Sequence, residues 1–341
     1  MGRSISVIIP AYNSARTLRP CLAAVYAQTR PPDEVFVVDD ASTDGTREIA
    51  REFPVTLLEQ PVNQGPAAAR NRGIRDSHGD LLVFVDADCA LSADAIENAV
   101  KILDETPDVA CVHGLYLTEP LFDDGPVEAY RLLHNHYWRL RHVGRVRTAI
   151  FAVCAIERAV FDDVGLFDER LRASEDVELS DRMADRYGIL LSAAVTCRHD
   201  DDSQLWPLLR KQFGRSQLLI PVALHERGPA GVRANRPLGV LAAALAAATL
   251  PLSTAATLLL GAVAAPLFAL PVAGTVLFAL ADPGLAAFVR RHRGPAFLAF
   301  FLAVHFLVQL AVVTGAVVGG LRYLVRRDLG PSHAVRARAA R

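Results

Sequence analysis

The sequence is short of cysteine, nearly without lysine and, over one long stretch, without charge. Its five cysteines, Cys21, Cys89, Cys111, Cys154 and Cys197, are scattered, odd in number and show no CxxC spacing. Neither a disulfide framework nor a zinc site is indicated, and such usage fits a reducing compartment. A secretory signal is missing too, since the apolar run after Arg3 extends only from Ile5 to Pro10. The first domain is therefore expected to stay in the cytoplasm. Lys101 and Lys211 are the only lysines beside 34 arginines, which fits a GC-rich coding bias and carries no chemistry. A basic excess is also lacking. The net charge of −1 hides a division: from Pro237 onward nine Arg face Asp282 and Asp328, a balance of +7, which leaves −8 on residues 1–236. An acidic domain on a basic anchor argues against general nucleic-acid binding.

The charge-free stretches define the C-terminal part. Pro237–Ala281 holds 45 residues without Asp, Glu, Lys or Arg, and Ala296–Leu321 holds 26. A membrane-spanning helix needs about 20 mostly apolar residues. The chain thus divides into a domain over 1–203, an amphipathic segment over 204–236 that suits either an interfacial position on a membrane or packing on the first domain, a membrane region over 237–321 and a basic tail over 322–341. Spans are expected at about 238–260, 262–281 and 297–321, which makes a multi-pass protein of the cell membrane with its first domain facing the cytoplasm. The charges conflict with this arrangement. Three spans put Arg322, Arg326, Arg327, Arg336, Arg338 and Arg341 outside, against the positive-inside rule. Two spans with a re-entrant part would instead expel Arg290, Arg291 and Arg293. His305 inside the last run is a functional candidate by its depth, or an ordinary interhelical hydrogen-bonding residue.

Residues 1–90 alternate between strand and helix patterns. Ser6–Pro10, Glu34–Asp39, Val55–Glu59 and Asp80–Asp86 read as buried strands, and Ala15–Gln28, Thr43–Phe53 and Asn63–Arg75 read as helices between them. This spacing indicates an α/β domain with a mostly parallel central sheet. Ligands of such sheets bind beyond the carboxyl ends of the strands, and Asp39, Asp40, Asp86 and Asp88 fall at such ends. Further on, Ala93–Glu105 and Ser174–Tyr187 read as helices, Val109–Leu117 as a strand, and Val127–Val143 and Leu205–His225 as amphipathic segments.

An ordered set of motifs runs through this domain: Pro10-Ala11-Tyr12-Asn13, Val38-Asp39-Asp40-Ala41-Ser42-Thr43-Asp44-Gly45, Asn63–Asn71, Asp86-Ala87-Asp88, Gly165–Glu169, Ser174-Glu175-Asp176 and His199. The series resembles the family 2 glycosyltransferases of GT-A fold, in the same order and over roughly residues 4–216. The resemblance implies a membrane-anchored, inverting, metal-dependent enzyme. It would move one sugar from a UDP- or GDP-linked donor to a lipid or lipid-linked acceptor.

The resemblance also assigns roles. Asp86-x-Asp88 is a DxD motif holding Mg²⁺ or Mn²⁺ on the donor diphosphate, with Asp88 as the better ligand, and His199 completes the metal or diphosphate site. Such ions take one or two carboxylates plus substrate phosphates. Pro10, Ala11, Tyr12, Asn13, Asp39, Asp40, Asp86 and Ala87 line the nucleotide, and Arg70 and Asn71 contact it near a helix start suited to phosphate. Asp176 is the catalytic base, with Glu175 second. Each has a plainer reading: Asp40, Ser42 and Asp44 as turn and capping residues, Arg70 in an ion pair, Glu175 and Asp176 as the acidic first turn of a helix. Arg210, Lys211 and Arg215 suit phosphate or anionic lipid alike.

One family element is absent. The QxxRW motif of processive synthases is replaced by Arg210-Lys211-Gln212-Phe213-Gly214-Arg215, which favours single transfer. Two other classes stand as alternatives. A nucleotidyltransferase would show a glycine-rich basic loop, which Pro10–Arg16 is not. A decayed membrane scaffold would not be expected to keep Asp39, Asp86, Asp88 and Asp176.

Overall fold

A computed structural model describes residues 2–171, 174–217, 219–220 and 237–326. These form two compact units, the first from Met1–Asp123 and Trp138–Asp201, the second from Asp124–Tyr137 and the described residues within Asp202–Pro331. Residues 221–236 of the expected interfacial segment, and the tail residues Arg327, Arg336, Arg338 and Arg341, lie outside the described residues.

The first unit is built on a nine-stranded sheet of order β3-β2-β1-β4-β8-β6-β9-β5, with β7 paired to β9. The strands are β1 Ile5–Ala11, β2 Glu34–Asp39, β3 Thr56–Glu59, β4 Leu81–Val85, β5 Cys89–Leu91, β6 Val109–Tyr116, β7 Gly144–Val146, β8 Val153–Glu157 and β9 Gly188–His199. Strands β1 to β4 are mutually parallel, β8 is antiparallel to β4 and β6, and β9 runs with β6. β5 and β7 oppose β9. Six strands therefore share one direction, and the sheet is largely parallel.

Strand β1 shows why the sequence folds this way. A strand covered on both faces reads as a continuous apolar run; Ile5, Val7, Ile8 and Ile9 are all fully buried. On one face it meets α1 (Leu18–Tyr26), whose Leu18, Cys21, Leu22 and Val25 sit at helical spacing in the same core. On the other it meets α3 (Pro66–Asp76), which opens with Pro66 after Gly65 in the left-handed region (φ 92°). Gly73 lets α3 approach Ile8 where a Cβ would collide. The parallel register Ala11↔Asp39 and Ile8↔Phe84 brings the carboxyl ends of β1, β2 and β4 to one rim.

The remaining helices of this unit are α2 (Thr46–Arg51), α4 (Ala95–Glu105), α6 (Arg158–Val164) and α7 (Glu175–Met183). Helix α5 (Pro126–Leu140) divides between the units at Tyr137. The second unit adds α8 (Leu205–Ser216), the helix Pro237–Leu260, a 3-10 stretch Gly261–Phe268, and the helices Ala269–Leu280 and Pro283–Arg326. Two stretches, Pro237–Leu280 and Pro283–Val325, are long and apolar enough to cross a membrane. Their interruptions are at Gly261 (φ 68°) and at Gly294 (φ 80°) before Pro295. His305 has the ordinary role: its Nδ1 lies 3.0 Å from the Tyr130 hydroxyl and its Nε2 3.2 Å from Gln309 Nε2.

Candidate active site

At the rim formed by β1, β2 and β4, one buried arginine joins two motifs that lie far apart in sequence. Arg70, on the second turn of α3, is 5% exposed. Its Nη2 donates to Asp86 Oδ1 at 2.9 Å and its Nη1 to Glu175 Oε1 at 2.7 Å. The guanidinium also stands 5.7 Å from the centre of the Phe167 ring. Burial alone would lower the Arg70 pKa, but the charges of Asp86 and Glu175 outweigh it and raise it. Arg70 is thus ion-paired, but in a buried bridge rather than on the surface.

Asp176 follows Glu175 at the first turn of α7, after Ser174 in the left-handed region (φ 64°). Burial, then the neighbouring Glu175 charge, pushes its carboxyl up to about 6. Its Oδ1 accepts one backbone N–H, from Val177 at 2.8 Å. A carboxylate held in this way is a stronger base than an exposed one.

Asp86, just past β4, is held by Arg70, and its backbone N–H donates to Ala152 O at 2.9 Å. Burial raises its carboxyl above the usual range despite the Arg70 charge. Asp88 turns the other way. Its Oδ2 lies 3.5 Å from Nε2 of His199, the last residue of β9. The two elements are fixed by the antiparallel pair Cys89↔His199. Burial would raise the Asp88 carboxyl, but His199 lowers it. Burial would lower the His199 imidazole, but Asp88, followed by Asp201, raises it to about 9. The imidazole stacks on Tyr116 at 4.3 Å between ring centres, and Arg139 lies 3.8 Å over the other ring.

This donor set fits a divalent cation. Asp88 and His199 present one oxygen and one nitrogen close enough for a shared ion, in a cluster that also includes Cys89. The Cys89 sulfur is a soft donor and does not suit a hard cation such as Mg²⁺, which takes oxygen ligands. The three expected ligands therefore separate: Asp88 and His199 come together, while Asp86 is joined to Arg70.

The expected nucleotide residues also separate. Tyr12, half exposed at the end of β1, is open to solvent. Asn13 (φ 50°) accepts from Thr43 N at 2.8 Å and ties its loop to the one after β2. Asp39 is fully buried beside Arg47, 2.6 Å from Oδ2. Asp40 accepts from Gln60 Nε2 and from the backbone of Gln64 and Gly65, so its carboxylate shapes the turn before α3. Ser42 and Asp44 are turn residues, accepting from Asn13 N and Ala15 N. Asn71 is buried and fastens Phe167 through both backbone groups. It holds the segment leading to α7.

Comparison with known proteins identifies the family and the fold. The model described as glycosyl transferase family 2 matches residues 6–164. Glycosyltransferase AglE of Haloferax volcanii is 34% identical over 227 residues, covering 63% of this chain and 73% of AglE. The chain belongs to glycosyl transferase family 2. An uncharacterized glycosyltransferase of Haemophilus influenzae is 27% identical over 181 residues, 51% of this chain and 60% of its own length. Among solved structures, the mannosyltransferase PcManGT from Pyrobaculum calidifontis, in complex with GDP-Man and Mn²⁺, aligns with a TM-score of 0.54 at 20% identity. That alignment covers 96% of this chain and 89% of PcManGT, a likeness of fold. The first unit of this glycosyltransferase is accordingly a GT-A domain.

Tyr116, Arg139 and Arg47 are the site residues that sequence reading missed. Tyr116 ends an all-buried strand, and Arg139 lies in an aromatic-rich helix with no motif, so neither carries a local signal.

Proposed function

We propose that this enzyme is an inverting, metal-dependent glycosyltransferase that moves a single sugar from a nucleotide diphosphate sugar to a lipid or lipid-linked acceptor at the cytoplasmic face of a membrane. The Asp86–Arg70–Glu175 bridge is the observation that carries the reading. It holds the DxD strand end and the Asp176 helix start in one rigid arrangement, as donor and acceptor chemistry at one anomeric carbon requires.

Asp176 takes the proton from the acceptor hydroxyl as it attacks C1, and its raised pKa suits that task. Asp88 and His199 hold a divalent cation, Mg²⁺ or Mn²⁺, against the diphosphate, as the Mn²⁺ in PcManGT also suggests. When bound, the cation neutralises the leaving diphosphate. Tyr12 and the loops joined by Asn13 form the nucleoside end. Asp39, whose side chain is fully buried, acts on the ribose or base through Arg47 and the Ser42 backbone that it holds at the rim, and Asp40 acts on the nucleotide only by shaping the turn before α3. The two apolar stretches suit an acceptor that is itself in the membrane.

The test is nucleotide binding by thermal shift, with and without Mn²⁺, followed by product analysis with labelled nucleotide sugar. UDP or GDP should raise the melting temperature only with the metal, and Asp88→Ala should abolish that rise along with transfer. At ligand about 100-fold above Kd the stabilisation should be about 2.7 kcal/mol. An unchanged metal-dependent rise in Asp88→Ala would remove Asp88 from the metal site.

A further inference from the structure

The apolar helices form a hairpin whose apex a full crossing does not explain. Pro237–Leu260 is 24 residues, about 36 Å at 1.5 Å per residue. After the turn at Gly261 the chain runs back along it: Ser253 Oγ donates to Leu267 O at 3.0 Å, and Gly274 lies against the backbone of Ala242 and Ala246. Pro237–Leu280 is therefore a hairpin with both ends on one side. Its apex is wholly apolar. Leu258, Leu259 and Val263 are 82%, 83% and 88% exposed, and from Leu258 to Leu280 only Thr275 has a polar side-chain atom. A turn emerging into water would not carry such a patch, while 3-10 hydrogen bonds keep its backbone paired in an apolar medium.

The helix Pro283–Arg326 is likewise not surrounded by lipid. Helix α8 runs beside it in the same direction, with Phe213 O against Gly315 and Gln217 against Gly319, where a Cβ would collide. Arg322 Nη1 donates to Gln217 Oε1 at 2.9 Å. This register sets Arg210 and Lys211, both exposed, level with Val312 and Val313. Were 297–321 a span, they would lie about 5 Å from its middle, where an unpaired charge such as a lone arginine costs about 2.5–3.5 kcal/mol, and Lys211 would bring its ion-pair partner Asp202 with it.

We propose that this unit enters the membrane from one side only. The hairpin Pro237–Leu280 dips in, tilted, and returns. Pro283–Arg326 lies along the same surface, with α8 on its water side and its exposed Leu307, Val317, Val318, Leu321 and Leu324 on the lipid side. The partner is the leaflet facing the catalytic unit. Arg290, Arg291, Arg293, Arg322 and the tail arginines then share one side, and the charge conflict of the two- and three-span arrangements disappears.

The arrangement rests on the membrane attachment proposed above. It is tested with Lys101→Cys, Ala262→Cys and Ser332→Cys variants in sealed membrane vesicles of both orientations, using a membrane-impermeant maleimide. The native cysteines are all buried. Lys101→Cys and Ser332→Cys should label from the same side, and Ala262→Cys from neither until detergent is added. Labelling of Ala262→Cys from either side, labelling of Ser332→Cys opposite to Lys101→Cys, or its protection from both sides would overturn the arrangement alone. Recovery of the chain in the soluble fraction would overturn the membrane attachment as well.

Discussion

Asp176→Asn is expected to lower sugar transfer by about 10²–10⁴-fold, the usual contribution of a positioned general base, while metal-dependent nucleotide binding stays unchanged. The parent enzyme should show an acidic limb in kcat near pH 6, falling about tenfold per unit below it, because only the ionised carboxylate accepts the acceptor proton. The same group predicts an opposite effect on stability. Its folded pKa of about 6 lies above the ordinary aspartate value of 3.8, so the folded state prefers the protonated form. Its stabilising contribution is present below about pH 4 and is lost as pH rises through 6. Asp176→Asn, which cannot ionise, should therefore be more stable than the parent at pH 7.5, by up to about 3 kcal/mol, and should melt at about the parent's temperature at pH 4. A variant that is inactive and also less stable at pH 7.5 would mean that the substitution damages α7 rather than the chemistry.

The second large effect is expected at Arg70. Arg70→Met removes the positive centre between two carboxylates, one buried and one partly so. Breaking a buried ion pair from one side costs about 3–5 kcal/mol, which for a domain of this size is a fall of about 10 °C in Tm. The double variant Arg70→Met with Glu175→Gln should recover a large part of the loss, since it leaves one fewer uncompensated charge. Differential scanning calorimetry of the three proteins decides the point. A fall of under 2 °C in Arg70→Met, or no recovery in the double variant, would show that the bridge does not hold the site together.

The fold was legible where pattern and burial coincide. β1, β2 and β4 are continuous β-branched runs because helices cover both faces, and α3 announces itself through Gly65-Pro66. β5, β7 and β8 escaped notice because strands of three to five residues carry too little periodicity to stand out. In the site, the Asp88–His199 encounter depends on the antiparallel pairing of β5 with β9, which nothing local in the sequence encodes. The double engagement of Arg70 was likewise invisible, since Asp86 and Glu175 stand 16 and 105 residues from it. Asp40 resembles its neighbour Asp39 in sequence, yet the turn at Gln64 and Gly65 takes up its oxygens. The apolar runs were plain in composition, but the packing of α8 on Gly315 and Gly319 was not, because a close helix contact leaves no hydropathy signal.

The Arg70 bridge also limits how the enzyme can be re-engineered. Recombination of family members at the acceptor end would exchange α7 as a cassette, and such a cassette is compatible only if position 175 stays acidic. A neutral residue there would leave the buried guanidinium with Asp86 as its one remaining partner in the bridge and should be tolerated better with a second change at Arg70. Val177 and the outward positions of α7 carry no such constraint. Libraries aimed at new acceptors should therefore diversify those positions and keep the Arg70–Glu175 pair as a fixed junction.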